Sequence, residues 1–112
     1  MKTIGIIGGL SWHSTLVYYR EINQLVNQKL GGSHAARILL HSIDFNDFKV
    51  LQEKGDWAKI ENMFSDIALG LQSAGADFIL IGANTPHIIA DGLKRNLAVP
   101  LLHIAEETAK VL

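Results

Sequence analysis

The 112-residue chain reads as an α/β domain with an open, parallel, four-stranded sheet in the order 2-1-3-4 and helices on both faces. Short aliphatic runs alternate with longer segments whose apolar residues recur every three or four positions. Glycine or a capping residue stands at most of the changeovers. A helix between successive strands enforces parallel pairing with right-handed crossovers, which is the doubly wound arrangement.

The first element, Thr3-Ile4-Gly5-Ile6-Ile7, is a β-branched run ending at Gly8-Gly9, as expected of a strand covered on both faces and closed by a turn. From Ser14 to Leu30 a stripe of Leu16, Tyr19, Ile22, Val26 and Leu30 predicts a helix, stopped by Gly31-Gly32. Residues 36–43 (ARILLHSI) are short and aliphatic and predict a second buried strand, with His41 packed inside it. Residues 44–54 read as a polar connection with room for a helical turn. Asp56 is placed to cap a helix that runs to Ser73, with Ile60, Met63, Phe64, Ile67 and Leu71 on one face and Gly75 beyond its end. Asp77 to Ile81 forms the third strand, Thr85 to Asn96 a short helix and Val99 to Leu102 a fourth strand. Ala105 to Leu112 starts a last helix. Trp12, Trp57, Tyr18 and Tyr19 read as core or rim. Glu21, Lys29, Glu53, Lys54, Lys59 and Glu61 read as solvated helix faces.

Ten Lys+Arg against eleven Asp+Glu leave a formal charge of −1, without the one-signed field that draws a domain to nucleic acid or anionic lipid. No apolar stretch approaches the ~20 residues of a membrane span, and the N-terminal run is too short and glycine-broken for a signal peptide. No nucleic-acid or membrane partner is expected, and a cytoplasmic location is. The chain has no cysteine, so a thiol nucleophile, a disulfide and a thiolate zinc site are all excluded. Its five histidines, His13, His34, His41, His87 and His103, show no metal-ligand spacing, so no metal is expected.

In an open α/β sheet the ligand sits beyond the carboxyl ends of the strands, where strand order reverses. With the order 2-1-3-4 that point lies between the first and third strands. Two loops line it, Gly8 to His13 and Gly82 to His87. The first, GGLSWHS, leads into a helix N-terminus that favours an anion. It does not fit the G-x-G-x-x-G dinucleotide pattern, and Asp44 lies too far on to bind a ribose. The second, GANTPH, opens a helix with Asn84 and Thr85. Their polar groups can either cap that helix or turn toward a bound carboxylate.

At these residues, and along the whole chain, the sequence resembles the aspartate/glutamate racemase family. The blocks that carry the resemblance are MKTIGIIGGLSW, STLVYYREIN, LGGSHAARILLHSIDF, LQEKGDW, AGADFILIGANTPH and VPLLHIAEET, in family order. The resemblance implies two similar α/β halves with the substrate in the cleft between them. Residues 1–112 then form the N-terminal half, completed by a missing C-terminal half or by self-association into a homo-oligomer. It also implies a small carboxylate or amino-acid substrate such as aspartate or glutamate, and no pyridoxal or other cofactor. The α-proton would be removed on one face and returned on the other by two acid/base residues, one from each half. The first of these directly precedes the N-T pair and is commonly Cys or Thr; here the position is Ala83, whose methyl group cannot carry a proton.

Carried over onto matching positions, the substrate-binding residues are Gly8, Gly9, Ser11, Gln52, Asn84 and Thr85. His87 is a candidate substitute for the lost acid/base. The expected function is an amino-acid racemase-like isomerase, and this half alone is expected to be inactive. Ala83 keeps two alternatives open: a one-base enzyme such as a decarboxylase of malonate-type acids, resembling arylmalonate decarboxylase, and a non-catalytic carboxylate-binding domain.

Overall fold

The computed structural model describes residues 1–82 and 87–102, and the side chains of all of these except 87–90. The elements run β1 (Thr3–Gly8), α1 (Trp12–Leu30), β2 (Arg37–Ser42), α2 (Phe45–Glu53), α3 (Trp57–Ser73), β3 (Phe78–Ile81), α4 (His87–Asn96) and β4 (Leu101–Leu102). The four strands form one parallel sheet in the order β2-β1-β3-β4, as the alternating pattern predicts. Ile6, in the central strand, pairs with Leu40 on one side and Leu80 on the other.

The pleat divides the core in two. Ile4, Ile6, Phe78 and Leu80 point to one face and pack with Ile22 of α1 and the half-buried Tyr18. Ile7, Ile79 and Ile81 point to the other, where Ile60, Phe64, Ala68 and Leu71 of α3 and Leu93 of α4 cover them. This is why the strands read as unbroken aliphatic runs: both faces are covered, so neither phase of the period-2 repeat is polar. Asp56 caps α3 as expected, its carboxylate accepting from the Lys59 N–H at 3.2 Å.

Four expectations change. The stripe predicted to bury α1 is only partly the buried one. Thr15, Ile22 and Val26 face the sheet, while Leu16, Tyr19 and Leu30 are 57%, 51% and 52% exposed. Two apolar stripes lie side by side on this helix, and periodicity alone does not say which one meets the sheet. The second strand is not a buried one: β2 lies at the sheet edge, with Leu40 and His41 exposed, so His41 is not packed in a core. An aliphatic edge strand looks like a central one in sequence because strand order is a tertiary property.

Residues 45–53 form a full helix rather than a turn within a loop. Asp44 caps it through the Asn46 N–H at 3.0 Å, and Phe48 stacks on Phe64 with centroids 6.1 Å apart. No residue of α2 is fully buried, so its apolar signal is faint. The fourth strand shrinks from 99–102 to two residues. Pro100 has no N–H for the ladder, and only its carbonyl takes part, accepting from Ile79 N at 2.9 Å. Of the predicted aromatic rim, Trp12 is 60% exposed and stacks on the adjacent His13. The helix expected over 105–112 lies outside the described residues.

Candidate functional site

The turn after β1 is built by its neighbours as much as by its own glycines. Gly9 adopts φ +88°, a conformation side chains rarely tolerate. A Cβ there would meet the backbone carbonyl oxygen and nitrogen of Ile43, the residue that follows β2. The Gly8 carbonyl accepts from Ile43 N at 2.8 Å, so the two loops close on each other at the carboxyl end of the sheet.

Thr15, in the first turn of α1, ties this loop to the helix. Its hydroxyl oxygen accepts from the Gly9 N–H at 3.0 Å and donates to the Ser11 carbonyl at 3.3 Å, which also accepts from the Thr15 N–H at 3.1 Å. Ser11 occupies the N-cap position of α1, yet its side chain makes no cap bond and lies 3.3 Å from the Ser14 hydroxyl instead. Among the described residues, no oxygen accepts from the amides of Trp12, His13 or Ser14. An N-terminus whose serine declines to cap leaves donors and the positive end of the helix dipole facing outward, a setting that favours a carboxylate or phosphate.

The third strand ends at the same place. Gly82 N donates to the Ile7 carbonyl at 2.8 Å, and a Cβ on Gly82 would stand 3.8 Å from the Gly8 Cα. The backbone leaving β3 therefore starts directly beside the glycine turn, at the strand-order reversal. Ala83, Asn84 and Thr85 follow immediately but lie outside the described residues. His87 opens α4, and its side chain is likewise outside them. Gly82 thus stands beside the end of β1, and Gly8, Gly9 and Ser11 lie along the turn that follows it. Gln52 is exposed near the C-terminal end of α2, and among the described residues no hydrogen bond ties its side chain to the glycine turn. Sequence reasoning passed over Thr15 and Ile43. A threonine at the start of the helix predicted from Ser14 was a readable signal for the first; Ile43 acts through its backbone and carries none.

Several surface cavities lie away from the glycine turn. One, of about 850 Å³, runs along Tyr19, Asn23, Asn27 and His34 on the outer side of α1. Its amides are occupied structurally: Asn23 Oδ1 accepts from Ala36 N at 2.9 Å and Asn27 Nδ2 donates to the Gly32 carbonyl at 2.9 Å, pinning the connection to β2. A second groove follows the exposed edge of β2 and α3, past Leu40 and Ile67. Among the described residues no cluster of three metal-ligating side chains occurs, and no helix is long and apolar enough to cross a membrane.

The family model for Asp/Glu/hydantoin racemases matches residues 7–112. The broad specificity amino-acid racemase RacX of Bacillus subtilis (strain 168) is 27% identical over 96% of this chain and 48% of its own length. A crystal structure described as a candidate Asp/Glu racemase from Yersinia pestis is 48% identical with a TM-score of 0.88, covering 99% of this chain and 48% of the other. An aspartate racemase homologue from Pyrococcus horikoshii OT3 is 35% identical with a TM-score of 0.82, covering 99% and 50%. The chain spans about half the length of these relatives. With the parallel sheet, its order and the glycine turn at its carboxyl end already in place, the match over residues 7–112 identifies the chain as a member of the Asp/Glu/hydantoin racemase family.

Proposed function

We propose that this chain forms one half of an amino-acid racemase-like isomerase that works without a pyridoxal cofactor on the α-carbon of a small acidic amino acid such as aspartate or glutamate. The observation that carries the reading is the 2.8 Å hydrogen bond from Gly82 N to the carbonyl of Ile7, the residue before Gly8, which starts the GANTPH segment beside the glycine turn at the junction of β1 and β3. In this reading the first-turn amides of α1, together with Asn84 and Thr85, grip the substrate carboxylate. Negative charge on that carboxylate grows as the α-proton leaves, so donors fixed in place beforehand stabilise the carbanion more than the ground state. The proton itself needs a base from the other half of the cleft, since Ala83 has no titratable group. A neighbour such as His87, or a water beside Ala83, takes the second role.

The test is exchange of the substrate α-proton with deuterium. The complete protein in heavy water should wash deuterium into the α-carbon of aspartate or glutamate, followed by loss of the α-proton resonance. No exchange with any acidic amino acid at high protein concentration overturns the reading. Ala83 also favours a second reading, a one-base decarboxylase of malonate-type acids, in which a single proton donor suffices because carbon dioxide and not a proton is the leaving group. Release of carbon dioxide from such acids without α-proton exchange in amino acids would select it.

A further inference from the structure

Thr15 is the buried polar side chain among the described residues, 7% exposed, and both hydrogen bonds of its hydroxyl go to the backbone of the glycine turn. The helix does not need them. The Thr15 N–H already closes the first intrahelical bond to the Ser11 carbonyl, and a valine would fill the same space with better burial. What the hydroxyl adds is a tether on Gly9, turning that amide inward and fixing where the chain from Leu10 to Ser14 emerges. The methyl group only packs: like the hydroxyl it lies against Gly8, where a Cβ would approach Thr15 Oγ1 to 2.7 Å and Cγ2 to 2.9 Å.

We propose that the Thr15 hydroxyl is a positioning residue for carboxylate binding, holding the Gly8–Ser11 turn so that the uncapped amides of α1 converge on the ligand. The inference rests on the reading of that turn as a carboxylate site and assigns its orientation to a side chain that touches no substrate. A hydrogen bond from Gly9 to Thr15 leaves the Gly9 amide unavailable to ligand. The gripping donors are therefore the amides that follow it.

Two variants separate hydroxyl from packing. Thr15→Val keeps the methyl contact and loses the tether; Thr15→Ser keeps the tether and loses the methyl. In the complete protein, Thr15→Val should weaken binding of succinate, a non-reacting dicarboxylate, by about tenfold, the factor that corresponds to one lost hydrogen bond to a charged ligand or its geometry. It should raise the KM for α-proton exchange more than it lowers kcat, and speed hydrogen exchange of the Gly9 amide. Thr15→Ser should stay within about threefold of the parent in each. Equal damage from both variants, greater damage from Thr15→Ser, or parental succinate binding by Thr15→Val would overturn the proposal. A parent that neither binds succinate nor exchanges α-protons overturns the carboxylate reading and this proposal with it. Gly9 amide exchange accelerated in Thr15→Val alone would then still show that the hydroxyl tethers the turn, distinguishing failure of the site from failure of the tether.

Discussion

Replacing Gly9 by alanine probes the meeting of the two loops directly. At φ +88° an L-residue costs roughly 1–2 kcal/mol in backbone strain. The new methyl would also run into the Ile43 carbonyl and nitrogen. Backbone cannot rotate aside as a side chain can, so the loop after β2 must move and the 2.8 Å bond from Ile43 N to the Gly8 carbonyl must lengthen. Overpacking of this kind adds about 1–3 kcal/mol, for a total of about 2–5. Gly55 supplies the control: it has φ +67° and nothing within 4 Å of its would-be Cβ, so Gly55→Ala bears the backbone strain alone. For a chain of this length each kcal/mol lowers Tm by about 4 °C. Circular dichroism melts should therefore place Gly9→Ala about 8–20 °C below the parent and Gly55→Ala about 4–8 °C below. Equal shifts would refute the claim that the glycine turn is held against the loop after β2.

Loss of the α3 cap in Asp56→Ala should cost about 1 kcal/mol in urea unfolding, with an unchanged slope. Phe64→Ala removes a fully buried ring that Phe48 stacks on, and should cost about 3–5 kcal/mol by the same assay. Ala83→Cys in the complete protein should raise the rate of α-proton exchange by about 10²–10⁴, the usual contribution of a positioned acid/base; an unchanged rate would remove position 83 from the proton path. The exposed Trp12, Leu16 and Tyr19 make one outer face of α1 apolar, so the isolated chain should self-associate. Sedimentation should then show Leu16→Lys shifting the population toward monomer, and a parent already monomeric would contradict the expectation.

The sheet and its order were legible because each strand is a short aliphatic run bounded by turn residues and each crossover is long enough to hold a helix. Topology alone also says that β3 ends beside the turn after β1, and Gly82 N bonds the Ile7 carbonyl there at 2.8 Å. The failures share a cause. Residues 37–42 look central because Ile38, Leu39 and Leu40 are as aliphatic as the residues of β3, yet among the described residues no strand pairs beyond them. Helix α2 escaped notice because its apolar residues are only half-covered. On α1 two stripes compete in sequence, and the chosen one contains the exposed Leu16 and Tyr19.

Local chemistry in the sequence determined where β1, α1, α3 and β3 fall, the order of the sheet, and that position 83 carries a methyl group with no proton to give. Those properties depend on neighbours a few residues away, or on topology that short connections enforce. Only the tertiary structure decided which face of α1 meets the sheet, that β2 is an exposed edge, and that Thr15 and the Ile43 backbone hold the glycine turn. Each of these depends on groups distant in sequence or on backbone atoms common to every residue, and neither leaves a mark in the order of side chains.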